Sequence, residues 1–120
     1  IADAQIDSTP IVCITGQVAS HLLGSDAFQE TDIVGISTPV TKWNHQITKA
    51  SEIPSVLAKA FYIAKSGRPG PVLIDITKDA QFEQFDFSSE KCKGVRSYNP
   101  ESKTDIDDVK AAAQLINAAK

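Results

Sequence analysis

The stretch 66–79, SGRPGPVLIDITKD, constrains the fold more than any other part of this chain. Gly67 suits the left-handed backbone that ends many helices, and the prolines on either side of Gly70 exclude helix there. Residues 72–74 are apolar on both faces of an extended chain, which is typical of a parallel strand covered by helices. The sequence therefore predicts a helix end, a stiff turn and a buried strand whose polar carboxyl end is where α/β proteins carry their sites.

Other segments extend this pattern into an α/β layer. The apolar run 10–14 predicts a second covered strand. Residues 51–65 repeat apolar side chains at helical spacing, with Ser51 as the expected cap, and so predict the helix that leads into the central turn. Short strands are expected at 33–36 and within 40–47. The predicted fold class is α/β, with a partial parallel sheet and helices on both of its faces.

Charge and composition exclude several classes of function. The 120 residues carry a net charge of −3 and are 42% hydrophobic, which is ordinary for a globular domain and does not indicate a nucleic-acid or membrane partner. No apolar run approaches the roughly 20 residues needed to span a bilayer. Cys13 falls in a predicted core strand and Cys92 in a polar segment, so we expect no disulfide and a cytoplasmic setting.

The last third of the chain has a different character. Residues 82–103 are polar and typical of a linker, and a helix with acidic residues at its positive end is expected from Thr104 onward. We therefore expect a first domain over 1–81, a linker over 82–103 and the first helix of another domain over 104–120. Because the chain opens at Ile1 and contains no methionine, we expect it to be a piece of a longer protein.

The residues alone give only weak signals of chemistry. There is no dinucleotide-binding or Walker motif, no paired Cys or His at metal-ligand spacing, and no triad signature. His21 and His45 are isolated, which favours structural roles. Lys42 and Lys78 stand at predicted strand ends and are either solvated charges or ligands. Arg68 either caps helix carbonyls or offers its fork of donors to an anion.

Four blocks carry a resemblance to a known family. They are TGQV at 15–18, GSDAFQET at 24–31, TKWN at 41–44, and SGRPGPVLID at 66–75 followed by Lys78 and Asp79. These blocks resemble the catalytic large subunit of acetolactate synthase, also called acetohydroxyacid synthase, over about residues 1–81. The resemblance implies the latter part of the N-terminal, pyrimidine-binding domain of a thiamine-diphosphate enzyme.

The activity that this resemblance implies is a decarboxylation followed by a condensation. Such an enzyme decarboxylates pyruvate and joins the two-carbon unit to a second 2-keto acid, pyruvate or 2-ketobutyrate, in branched-chain amino-acid biosynthesis. Two alternatives stay open: another thiamine-diphosphate enzyme such as a pyruvate oxidase, or a non-catalytic ligand-binding or assembly module of the same fold. A pyruvate oxidase is not expected to carry both DAFQET and Lys78.

The resemblance also implies what the whole enzyme contains. It uses thiamine diphosphate, Mg²⁺ and FAD, and it assembles as a homodimer or tetramer with a small regulatory subunit. The family's catalytic glutamate lies upstream of Ile1, and a separate C-terminal domain holds the diphosphate and the metal. We therefore expect this chain to hold no catalytic residue and no metal ligand, to be inactive alone and to bind no cofactor tightly.

Two groups of residues match the family's reaction site. By resemblance, Gln29 lies near the thiamine cofactor, and Phe28 forms an aromatic wall that excludes water from the reacting carbon. Lys78 and Lys42 match residues of the substrate channel, where cations favour incoming 2-keto acid carboxylates.

A third group matches the family's flavin contacts, and one segment departs from the family. Arg68 matches a contact to FAD, and Ser8 matches another such position. The family commonly has Pro-Arg-Arg after GQV, whereas this chain has Ala19, Ser20 and His21. The channel of this chain is therefore expected to carry less permanent positive charge.

Overall fold

A computed structural model of the chain describes residues 1–101 and 103–119. Three strands, β1 (Val12–Gln17), β2 (Trp43–Ile47) and β3 (Val72–Thr77), form a parallel sheet. Their order is β1-β3-β2, so β3, the strand predicted within residues 66–79, lies in the middle. The predicted parallel sheet is confirmed.

The two faces of β3 are covered by different helices. Val72 and Ile74 are fully buried against α3 (Ile53–Lys65) and form the core with its Val56, Ala60, Ile63 and Ala64. Side chains alternate along a strand, so Leu73 points to the opposite face. Asn44 of β2 is in register with Leu73 and donates to the carbonyl of Val34 in α2 (Ile33–Ser37), which places α2 on that face. Helices therefore lie on both faces, as predicted.

The helix before the central turn forms and ends largely as the sequence predicts. Proline lies in the first turn of α3, where its missing amide costs no hydrogen bond. The helix ends at Lys65, and Gly67 follows with a φ of +58° in the left-handed region. The expected cap by Ser51 is wrong, because a 3-10 turn (Ala50–Glu52) precedes the helix and no side chain caps its first amides.

One predicted strand is a helix. Residues 33–36, expected as a short strand, belong to α2. The carboxylate of Asp32 accepts a hydrogen bond from the amide of Gly35 at 2.9 Å and so satisfies a free donor at the helix start. A short apolar run does not distinguish strand from helix, and this local cap decides the outcome.

Beyond the sheet, α4 (Lys78–Phe82) follows β3 directly, and α5 (Ile106–Ala118) lies near the end of the described chain. Described residues between these helices form only one isolated bridge, Val95 with Tyr98. The helix expected from Thr104 begins at Ile106, because Asp105 is the residue that caps it.

Further observations complete the fold. A short α1 (Ala2–Ile6) precedes β1. Both Cys13 and Cys92 are free, as predicted. In the ranges that the structure describes, no helix combines the length and apolar character needed to cross a bilayer.

Candidate functional site

A cleft of about 680 Å³ opens where β1 and β3 end. One wall is the end of β1 with the 3-10 turn Ser20–Leu22, which includes His21. Phe28 and Gln29 form a second wall, and the start of α4 forms a third. The cleft lies at the carboxyl edge of a parallel sheet, the edge at which α/β proteins bind ligands.

The loop that carries Phe28 and Gln29 is stabilised by hydrogen bonds from its own backbone amides to the carboxylate of Glu30. Its carboxylate accepts hydrogen bonds from the amides of Gly24 and of Ala27, the latter at 3.1 Å. The Gly24 amide in particular holds the pKa of Glu30 below its usual range. Gln29 has a φ of +66°, a strained conformation for a residue with a side chain, and such strain clusters at functional sites. The loop thus presents Phe28, 89% exposed, beside the cleft.

The third wall carries an ammonium and a carboxylate side by side. Lys78 and Asp79 begin α4, and both line the cleft. The Asp79 carboxylate accepts hydrogen bonds from the hydroxyl of Ser20 and from its amide, the latter at 2.9 Å. The Ser20 hydroxyl, above all, holds the pKa of Asp79 far below its usual range. Asp79 is therefore an anion at any physiological pH.

Lys42 lies at the other end of the sheet. It precedes β2, whereas Lys78 follows the parallel strand β3. The Lys42 ammonium donates to the carbonyl oxygens of Ile63 and Ser66 and to the Tyr98 hydroxyl. The structure therefore does not bring Lys42 together with Lys78, and it holds the Lys42 ammonium at the end of α3; the substrate-channel position that the resemblance implied for Lys42 stays a prediction.

Arg68 and Ser8 are brought into direct contact. The Arg68 Nε donates to the Ser8 hydroxyl at 2.8 Å, and its Nη2 donates to the carbonyl of Ile6 at 3.0 Å. A guanidinium has five N–H donors, so this one has donors left for an anion such as a phosphate. The pair precedes β3 and so lies away from the cleft, at the amino edge of the sheet.

A buried polar network that sequence reasoning missed reaches the cleft through Gln17, which lines it. Asp75, 1% exposed, accepts hydrogen bonds from Thr15 at 2.6 Å, from Gln46 at 2.9 Å and from Gln17 at 3.3 Å. Gln17 also donates to the carbonyl of Thr31 at 2.8 Å and so ties the cleft floor to the loop behind Phe28. Thr15, Asp75 and Gln46 are in register on the three strands. The sequence shows that each strand carries a polar residue, but it does not show that these residues align.

The two histidines lie apart, and the described chain holds no cluster of metal ligands. His45 stacks on Trp43, with ring centroids 5.5 Å apart, outside the cleft, whereas His21 lines it. In the part of the chain that the structure describes, no three Asp, Glu, His or Cys side chains are grouped as metal ligands would be.

Known proteins resemble this chain in sequence over its whole length. No protein-family model matches the chain. Over all 120 residues it is 51% identical to the acetolactate synthase large subunit of Corynebacterium glutamicum. The chain is thus similar over its whole length to acetolactate synthase large subunits. It is also 47% identical, again over its whole length, to the acetolactate synthase isozyme 1 large subunit of Escherichia coli.

The chain spans about a fifth of the length of these acetolactate synthase relatives, covering 19% of the C. glutamicum protein and 21% of the E. coli protein. A solved structure agrees with the fold. A Mycobacterium smegmatis protein assigned to the thiamin diphosphate-dependent enzymes superposes with a TM-score of 0.72 at 25% identity, over 99% of this chain and 22% of its own. The α/β fold predicted from the sequence is therefore that of a segment of such enzymes.

Proposed function

We propose that this chain is part of an acetolactate synthase, which decarboxylates pyruvate and condenses the two-carbon unit with a second 2-keto acid, pyruvate or 2-ketobutyrate. The supporting observation is the identity of 51% over the whole chain to an acetolactate synthase large subunit. The cleft adds a physical reason, because Lys78 and Phe28 line it together. A cation beside an aromatic wall suits a small anionic substrate.

Each wall of the cleft has a role in this proposal. The Lys78 ammonium attracts the carboxylate of the 2-keto acid, and Phe28 keeps water from the reacting carbon. The Gln29 amide donates to and orients the thiamine cofactor. When bound, thiamine diphosphate supplies the electron sink that decarboxylation requires. The open cleft and the exposed Gln29 leave room for part of that cofactor.

The other cofactors are assigned to different places. Arg68 and Ser8 fit a contact to FAD, because the guanidinium is held in place by two hydrogen bonds and keeps donors for a phosphate. We assign Mg²⁺, together with the diphosphate, to residues outside this chain. Isolated from the rest of the enzyme, the chain is expected to turn over no substrate.

The organisation of the whole protein is also part of the proposal. Residues 1–81 form the latter part of a pyrimidine-binding domain, 82–103 connect it to the next domain, and 104–120 begin that domain. The whole enzyme is a cytoplasmic homodimer or tetramer with a small regulatory subunit. The supporting observation is that α5 (Ile106–Ala118) buries no residue, as expected for a helix whose packing partners lie elsewhere.

The test uses the full-length protein that contains this chain. Supplied with thiamine diphosphate, Mg²⁺ and FAD, it should form acetolactate from pyruvate. Replacing Lys78 by Met should raise the KM for pyruvate about tenfold, the effect of losing one charge-assisted hydrogen bond. Lys65→Met is the matched control, because Lys65 is exposed at the end of α3 and should leave KM unchanged. Decarboxylation without formation of the new carbon–carbon bond would contradict the proposal and favour a pyruvate oxidase.

A further inference from the structure

Opposite charges stand next to each other at the cleft, yet they are not paired. Lys78 and Asp79 are consecutive, and both line the cavity. Asp79 directs its carboxylate to Ser20, which donates both its hydroxyl and, at 2.9 Å, its amide. Among the described residues, the Lys78 ammonium makes no hydrogen bond and no ion pair.

We propose that Ser20 is a positioning residue that holds the Asp79 carboxylate away from Lys78 and so keeps the Lys78 ammonium free for the carboxylate of the substrate. This inference rests on the proposed function, because it takes the substrate of the cleft to be a 2-keto acid.

The geometry supports this role in two ways. Ser20 opens a 3-10 turn, and the amide of Leu22 closes that turn on the carbonyl of Ala19 at 2.9 Å, so the two donors have a defined position. Both oxygens of Asp79 are used, one by each donor. A carboxylate that is bound at both oxygens has little tendency to swing toward a neighbouring ammonium in water.

Removing the Ser20 hydroxyl frees one oxygen of Asp79 and leaves the carboxylate held by the Ser20 amide alone. Held at one oxygen only, the carboxylate can turn its free oxygen toward Lys78, where it would compete with the substrate and repel the substrate's own negative charge. For an exposed ion pair, we expect the KM for pyruvate to rise about fivefold in Ser20→Ala, with kcat nearly unchanged.

A double variant distinguishes this role from simple damage to the turn. In the Ser20→Ala background, Asp79→Asn removes the competing charge and should return KM toward the wild-type value. Collapse of the turn would not be repaired by that second change. Ser55→Ala is the matched control, because this exposed hydroxyl donates to Glu52 at the start of α3, away from the cleft.

Binding provides a readout that needs no turnover. Pyruvate is titrated into the full-length protein without thiamine diphosphate, and heat or ligand-observed NMR gives the Kd. The Kd values are expected to follow the same order as the KM values: weaker binding in Ser20→Ala, recovery in the double variant and no change in the control. Equal binding by wild type and Ser20→Ala, or a double variant no better than Ser20→Ala, overturns the inference.

The two proposals fail separately. If the wild-type holoenzyme makes no acetolactate, the proposed function is wrong. The ratio of pyruvate affinities still decides the role of Ser20: weaker binding in Ser20→Ala with recovery in the double variant supports it, and equal or absent binding overturns it.

Discussion

Replacing Lys42 by Met should destabilise the chain without affecting substrate binding. The half-buried Lys42 ammonium donates to the carbonyl oxygens of Ile63 and Ser66 at the end of α3, and it lies 5.4 Å from the ring centroid of Tyr98. Those carbonyls are at the negative end of the helix, where a cation is favourable. Methionine keeps most of the apolar stem and removes only the charge and the donors.

The size of the effect follows from which acceptors lose a partner. The Ser66 carbonyl keeps the Tyr98 hydroxyl at 2.8 Å, so its loss is partly compensated. The Ile63 carbonyl loses its bond to the ammonium, which costs about 1–3 kcal/mol. Loss of the cation–π contact adds about 0.5–1 kcal/mol. Together these terms lower the free energy of unfolding by about 1.5–4 kcal/mol, a large part of the roughly 5–15 kcal/mol typical of a domain.

Urea unfolding followed by circular dichroism measures this change. With a slope of about 1–3 kcal/mol per molar urea, the midpoint should fall by roughly 1–2 M. Lys65→Met, exposed in the last turn of the same helix, should change stability by less than about 0.5 kcal/mol. A Lys42→Met midpoint equal to that of Lys65→Met would refute the structural role. A raised KM for pyruvate in the full-length Lys42→Met protein would support the substrate-channel position that the resemblance implied for Lys42.

Three further changes test the fold and one electrostatic contact. Gly67→Ala should lower the free energy of unfolding by about 1–2 kcal/mol or more, because φ is +58° and the new Cβ would lie 3.0 Å from the Tyr98 hydroxyl oxygen; chemical denaturation measures it. Ile74→Ala should cost about 2–5 kcal/mol by leaving a cavity under α3, measured in the same way. The pKa of Asp79 is lowered by folding, so its contact with Ser20 stabilises the protein above the unfolded-state value of about 4 and is lost as pH falls below it. The stability difference between wild type and Asp79→Asn should therefore shrink on acidification below about pH 4, and a constant difference in unfolding free energy from pH 6 to pH 2 would contradict this.

The arrangement of the candidate site could be predicted only in part, and what the sequence leaves open has a common cause. Phe28, Gln29 and Lys78 were assigned by resemblance, and the structure places all three around one cleft. Lys42 was assigned to the same site, but it precedes β2 and therefore lies at the opposite edge of the sheet from Lys78. Asp75 was visible only as a polar residue in an apolar strand. Neither position could be judged without knowing which strands pair and in which direction.

The sequence by itself determined the features that depend on a few neighbouring residues. The apolar run of β3, the left-handed Gly67 and the helix before it follow from side-chain polarity and backbone sterics within about one turn of chain. The family blocks are equally local, because each is a short string of residues.

Only the tertiary structure decided which side chains meet. Thr15 and Asp75 are 60 positions apart in the chain, and Ser20 and Asp79 are 59 apart. Such pairs form because parallel pairing brings the carboxyl ends of β1 and β3 to the same edge of the sheet. The energy of that pairing comes from burying β3 between helices, a property of the whole domain that no single stretch of sequence contains.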